Sequence, residues 1–404
     1  MIPILFCALA LLQTPPTPQP APAKKGPRDF SEFLEGTIKT NNVPGMVMLA
    51  LKGDEIIARG VAGVRKRGAA DKIGFDDKFH LGSCTKAMTA TVAAMLVEQG
   101  KLKWNTGLLE VFPDLAGKAA PGWTEETLSA LLLNRGGMPA NLEPDGLWAS
   151  LWDAKGPPPE QRRLLLAGVL AKPPLSQPGT TYLYANANFS AAGAMSEAVA
   201  GKPWEQLVEE RLFKPLGMDS AGFGPPGSGS ALDQPRGHDA EGNPVGIGPT
   251  ADNPESITPA GRVHCSISDW SKFIALHLAG ARAVRGLAQD TGTKLLSKDS
   301  FEMLQTSPLG PETGYAMGWN VSKRSWGGNM LSHAGSNTYW YCVAWISPEK
   351  NLAAMACCNQ GGKGAEKACD EAITEMIQKL LGNIAAPSIP GSVPEQPTPP
   401  TPPK

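Results

Sequence analysis

The chain has 404 residues, 42% of them hydrophobic, which suffices for a large core. Lys and Arg total 37 against 38 Asp and Glu, a formal net charge of -1, so no global field draws the protein to nucleic acid or an acidic membrane surface. Only 19% of residues are charged while Gly (45) and Pro (38) are abundant, which argues for a compact body with many turns and long ordered loops.

Residues 1–12 form an apolar run too short to span a bilayer but of the right length for the h-region of a signal peptide. The run has no Lys or Arg before it and no clear A-x-A cleavage site after it. Its expected consequence is a secreted or periplasmic protein with no stable transmembrane anchor. Residues 13–28 are a Pro-rich linker, expected to be extended, and residues 387–404 mirror it at the other end. The folded body is therefore expected over residues 29–386.

Within the body, Phe30, Phe33, Leu34 and Ile38 recur at helical spacing. Residues 45–51 read as a buried strand, residues 52–54 as a turn, and residues 55–58 as the start of the return strand. A long helix is expected over residues 83–98, closed by Gly100. Helical patterns dominate residues 105–220, broken by Gly136-Gly137 and by prolines at 157–159 and 173–174. Residues 221–258 are Gly/Pro-rich and long for a loop, as expected of an ordered loop or lid near a site. Strands return at residues 339–346 and 352–358, and a last helix is expected over residues 365–381. Strands that open and close a body commonly share one sheet, with the helical middle as an insertion. The fold class expected is α/β (α+β), an antiparallel sheet flanked by helices, with the Ser83 helix packed on it.

Seven cysteines occur, at 7, 84, 265, 342, 357, 358 and 369, none as C-x-x-C. The vicinal Cys357-Cys358 pair lies in an apolar run and reads as buried free thiols. His80, His238, His264 and His277 fall in no metal-ligand spacing, so neither metal nor cofactor is implied.

Three short motifs carry chemistry. In Ser83-Cys84-Thr85-Lys86 the spacing of three places a lysine amine beside a serine hydroxyl on one helix face, at a helix N-terminus that favours a developing oxyanion. Alone, the tetrad also reads as an N-capped helix with a solvated lysine. Tyr184-Ala185-Asn186 offers a phenol able to relay a proton and an amide able to hold the lysine and a substrate amide. Alone, it also reads as a turn. His333-Ala334-Gly335-Ser336 precedes the strand expected at residue 339, where a glycine lets a substrate backbone approach and the Ser336 N–H can be a second oxyanion donor beside that of Ser83. Alone, it also reads as a polar turn entering a strand. Cys84 is expected to point into the core.

Taken together and in this order, the motifs resemble the serine β-lactamase-like family, which includes class C β-lactamases, DD-carboxypeptidases, D-aminopeptidases and related esterases. The flanking phrases match too: Phe79-His-Leu-Gly before Ser83, Leu131-Leu-Leu-Asn-Arg-Gly-Gly-Met-Pro139, Pro178-Gly179, Leu216-Gly217-Met218, Pro259-Ala-Gly261 and Gly314-Tyr-Ala-Met-Gly-Trp319. The resemblance covers about residues 30–382. It implies a β-lactamase/transpeptidase-like fold with Ser83 as nucleophile, Lys86 and Tyr184 as its coupled proton-transfer partners, and Asn186, His333, Gly335 and Ser336 as substrate-binding residues.

Two departures matter. His333-Ala-Gly335 replaces the Lys-Thr-Gly of class C β-lactamases, which tilts the expected substrate away from carboxylate-bearing β-lactams. Asn134-Arg135-Gly136 differs from the family's Ser-His-x-Ser-Gly and reads as a structural loop. The function expected is acyl transfer to Ser83 and hydrolysis of a small ester, amide or D-amino-acid peptide, with cell-wall material among the candidate partners. A class C-like β-lactamase and a catalytically silent penicillin-binding module remain as alternatives.

Overall fold

The structure, a computed structural model, describes residues 26–144, 146–229 and 231–382. The expected h-region at 1–12, most of the linker at 13–28 and the Pro-rich tail at 387–404 lie outside the described residues. The last linker residue is described: Arg28 joins Asp29 in a short strand, β1 (Arg28–Asp29), parallel to the strand around Ala58.

Two strand runs open the body, β2 (Gly45–Lys52) and β3 (Glu55–Gly63), and pair antiparallel. The body closes on β7 (Thr313–Ala316), β8 (Trp319–Arg324), β9 (Gly328–Ser336), β10 (Tyr341–Ser347) and β11 (Leu352–Cys358). Strand β11 pairs directly with β2, so both ends of the chain share one eight-stranded sheet, ordered β1-β3-β2-β11-β10-β9-β8-β7. A second, three-stranded sheet joins β4 (Lys78–His80), β6 (Val263–Ser266) and β5 (Gly222–Phe223).

Both faces of the large sheet are covered, and this explains why β2 and β11 read as unbroken apolar runs. Val47, Leu49 and Leu51 enter one core, while Met46, Met48 and Ala50 enter the other. Cys357 and Cys358 are likewise buried on opposite faces, and the six described cysteines are all free thiols. Helices α1 (Ser31–Thr40) and α7 (Gly362–Leu381) cover one face. On the other face lies α5 (Ile267–Val284), followed by α6 (Lys298–Gln305).

Helix α2 (Thr85–Glu98) is built of Ala, Met, Thr, Val and Leu on every side, as a helix buried all round must be. It packs on α4 (Asn186–Ala200), on the short helix Thr258–Gly261 and on α6, and approaches the sheet chiefly through the turn before it. The expected packing of the Ser83 helix on the sheet is thus made mostly through that turn, while the helix itself sits against other helices. Gly100, at φ +68°, ends the helix. Between residues 108 and 216 the elements are all helical, including α3 (Pro158–Leu170) and α4.

Candidate active site

The nucleophile region begins one step earlier than expected. Ser83 sits in a 3-10 turn (Gly82–Cys84) ahead of α2. His333 to Ser336 form the end of strand β9, a strand edge as the motif suggested and not the alternative polar turn, one strand before the strand expected at residue 339. The two segments meet through a match of two glycines. Gly82 has φ +48°, and a Cβ there would lie 2.4 Å from the Ser336 amide nitrogen. A Cβ on Gly335 would lie 2.0 Å from the Leu81 carbonyl oxygen and 2.8 Å from the Ser83 amide nitrogen. Only two bare backbones can lie this close, and their contact brings the Ser83 and Ser336 amides to one spot.

Lys86 lies one helical turn on, fully buried. Its Nζ is 3.1 Å from Ser83 Oγ, 2.8 Å from Asn186 Oδ1 and 2.7 Å from the Ala260 carbonyl oxygen. The Tyr184 and Phe189 rings flank the amine, with centroids at 4.7 and 5.6 Å. Burial strips water from the charged form and drives the Lys86 pKa well below its ordinary value, an effect that neighbouring Cys84 offsets only in part. A neutral amine has two N–H bonds and one lone pair. Asn186 and Ala260 accept the two N–H bonds, which leaves the lone pair for the Ser83 hydroxyl proton.

Tyr184 and Asn186 flank the start of α4, and the Asn134 loop sets their position. Asn134, buried at φ +55°, accepts from the Ala185 amide (3.1 Å) and Asn188 Nδ2 (3.3 Å) through its side chain, and from the Leu183 amide (2.8 Å) through its carbonyl. The loop's role as a brace follows from these bonds.

His333 also reaches the site, with its ring centroid 6.4 Å from that of Tyr184 and 6.0 Å from that of Tyr315. The ring is buried. Nδ1 donates to the Ala334 carbonyl at 2.6 Å, leaving Nε2 to accept from the Tyr315 hydroxyl at 3.4 Å. Burial first, and Lys86 second, push its pKa down to about 3. The histidine is thus neutral at pH 7 with both nitrogens engaged. Cys84 faces the core, where its thiol donates to the His333 carbonyl at 3.7 Å and burial raises its pKa well above the usual thiol value.

Sequence reasoning missed four contributors. Tyr315 and Tyr182 (centroids 5.6 Å apart) extend an aromatic wall from Tyr184 along the site. The Ala260 carbonyl holds Lys86, and Gly318, at φ +89°, lets the chain pass against α2, where a Cβ would lie 2.5 Å from Ala87 Cα. Each belongs to, or adjoins, a phrase that had matched the family without a role. Among the described residues, no group of three or more His, Cys, Asp and Glu is placed to hold a metal ion. Nor is any described helix long and apolar enough to cross a membrane.

A mostly antiparallel sheet between helical layers, with a Ser-x-x-Lys turn against the end of an inner strand, is the β-lactamase/transpeptidase fold. The family model of the Beta-lactamase family matches residues 30–376, and the chain belongs to that family. It is 25% identical over 376 residues to penicillin-binding protein 4 of Amycolatopsis lactamdurans, covering 89% of this chain and 91% of that protein. A shorter match, 31% over 165 residues, joins 37% of the chain to 40% of a lovastatin esterase of Penicillium rubens. Among solved structures it resembles a D-stereospecific amidohydrolase from Streptomyces sp., with TM-score 0.65 and 24% identity over 85% of this chain and 96% of that one. The family comprises serine hydrolases, with esterases, D-amino-acid amidohydrolases and carboxypeptidases among them.

Proposed function

We propose that the protein hydrolyses a small ester, amide or D-amino-acid peptide through an acyl-enzyme on Ser83. The observation that carries this reading is the buried Lys86 amine, within hydrogen-bond distance of Ser83 Oγ and held by the Asn186 and Ala260 oxygens. In the first half-reaction Ser83 Oγ attacks the scissile carbonyl carbon and its proton passes to Lys86 Nζ. The Ser83 and Ser336 amides hold the oxyanion. The intermediate collapses, and the departing alkoxide or amine takes a proton from the Tyr184 hydroxyl, which Lys86 resupplies. In the second half a water gives its proton to the same pair and attacks the acyl carbon, releasing the acid and restoring Ser83.

The substrate class follows from charge. Burial shifts Lys86 toward its neutral form, and neutral His333 stands where class C β-lactamases carry a lysine. The site therefore offers little to an anionic carboxylate, and the Tyr182, Tyr184 and Tyr315 rings favour an apolar group.

One experiment tests the reading: profiling with p-nitrophenyl esters, nitrocefin and D-alanyl peptides, alongside labelling by a fluorophosphonate. Ester turnover above nitrocefin turnover, with the adduct on Ser83, is the expected result. Efficient nitrocefin turnover without esterase activity would promote the β-lactamase reading. An adduct on Cys84, or full activity in Ser83→Ala, would end the serine-hydrolase reading, while no turnover and no adduct would favour the silent module.

A further inference from the structure

Behind the nucleophile turn lies a second buried cluster that the proposed chemistry does not use. Its centre is Asp252, from the Gly/Pro-rich loop, whose carboxylate is fully enclosed. Every partner is a donor. Oδ2 accepts from His80 Nε2 at 2.9 Å and from Arg262 Nε at 3.2 Å. Oδ1 accepts from Asn337 Nδ2 at 3.0 Å and from the Asn253 amide at 2.8 Å. These donors outweigh the burial that opposes ionisation, and the carboxyl pKa falls to about 2.

The outer ends of two of these bonds matter most. His80 Nδ1 accepts from the Gly82 amide at 3.1 Å, which fixes the ring proton on Nε2, facing Asp252. Gly82 immediately precedes Ser83. Asn337 immediately follows Ser336, and its Oδ1 accepts from the Tyr339 amide at 3.2 Å. One carboxylate therefore grips both halves of the pocket that the two glycines bring together.

We infer that Asp252 is a positioning residue that, through His80 on one side and Asn337 on the other, fixes the Ser83 and Ser336 amides at the separation an oxyanion needs. This rests on the acyl-transfer reading above and assigns the Gly/Pro-rich loop a part in it. A purely structural clamp would loosen the fold or the binding site without a preference for the transition state. A clamp on the oxyanion donors is felt where charge develops, so its loss falls on kcat.

The test uses two variants that leave Asp252 with donors: Asn337→Ala, which removes one arm, and His80→Gln, which keeps a donor toward Asp252 but removes the acceptor for the Gly82 amide. Kinetics on a p-nitrophenyl ester are expected to show kcat reduced about 10- to 100-fold with KM changed less than about twofold, the scale of a misplacement near 1 Å. Both arms act through one carboxylate, so the double variant should lose less than the product of the single losses. Asn337→Gln, which retains the amide, should recover part of the lost kcat. Unchanged kcat, a loss carried by KM, or strictly multiplicative losses would each overturn the inference. Wild-type turnover with a fluorophosphonate adduct on Ser83, measured in parallel, keeps failure of the clamp distinct from failure of the serine-hydrolase reading.

Discussion

Replacing Gly335 by alanine adds one methyl group and tests the site at its tightest point. The new Cβ would sit 2.0 Å from the Leu81 carbonyl oxygen and 2.8 Å from the amide nitrogens of Ser83 and Cys84. Carbon and backbone oxygen do not approach closer than about 3 Å, so β9 and the nucleophile turn must part by about 1 Å. Gly335 is not among the glycines with positive φ, so the change acts through contact and adds no backbone strain of its own. Oxyanion donors work within about 2.7–3.1 Å of the oxygen, and losing one costs about 10²–10³ in kcat. Lys86, Asn186 and the Ala260 carbonyl are untouched, so KM should hold and a fluorophosphonate should still label Ser83, only more slowly. The assay is steady-state kinetics on p-nitrophenyl butyrate, with labelling followed by mass spectrometry. A Gly335→Ala enzyme within about threefold of wild-type kcat would refute the claim that the Ser83 and Ser336 amides form the oxyanion pocket.

Other outcomes follow from the same geometry. Lys86→Ala should cut kcat by about 10²–10⁴ while leaving KM near its wild-type value, and a large rise in KM with kcat intact would contradict the base assignment. Because burial lowers the Lys86 pKa, the acid limb of wild-type kcat/KM should lie well below the ordinary lysine range; a profile still climbing toward that range would count against Lys86 as the base. Cys84→Ala should keep most activity, since its thiol is held protonated in the core, and iodoacetamide should leave native Cys84 unmodified. Acid should destabilise the fold early. Burial lowers His264 to about 4 and His277 and His333 to about 3, so between the unfolded value of 6.5 and those values only the unfolded chain takes up the protons. Their contribution is fully present above about pH 6.5 and is lost as pH falls, with a slope approaching about 1.4 kcal/mol per pH unit per histidine; identical urea midpoints at pH 7.5 and pH 5 would refute it.

The large features were legible because they rest on local patterns. The runs at β2 and β11 are apolar at every position, and only a strand covered on both faces accounts for such a short run bounded by turns. Ser83 and Lys86 are one helical turn apart, so their proximity needs no tertiary information. What was not legible depends on non-local contacts. Nothing near His333 in the chain announces what its strand end meets, because Gly335 packs against Leu81 and Ser83 some 250 positions earlier, a contact seen only after folding. Helix α5 has a clear Ser266 N-cap, with its hydroxyl accepting from Asp269 N, yet the sequence reading passed over it along with β7, β8 and β9. These strands mix polar positions with apolar ones and lie toward the far edge of the sheet from β2. Asp252 was illegible for another reason: a lone aspartate in a Gly/Pro-rich loop carries no periodicity, and its partners come from residues 80, 262 and 337.

One physical cause recurs at three titratable groups around Ser83, the proposed nucleophile. Burial lowers the Lys86 pKa, lowers that of His333 and raises that of Cys84, so all three are driven toward their uncharged forms. The consequences differ by chemistry. A neutral lysine is a base, so desolvation favours the role proposed for Lys86. A protonated thiol is a poor nucleophile, so the same desolvation silences the cysteine next to Ser83 and leaves the hydroxyl without a competitor. A neutral histidine, bonded at both nitrogens, turns from an anion-binding group into a spacer for Tyr315 and Tyr184. The charged carboxylate nearby, Asp252, lies behind the backbone and is paired with Arg262. Substrate choice and base strength are then coupled: a cation placed at residue 333 to attract carboxylates would also oppose proton transfer to Lys86. His333→Lys should therefore narrow the gap between nitrocefin and ester turnover while displacing the acid limb of the pH profile downward, and movement of only one of the two would show that they are independent.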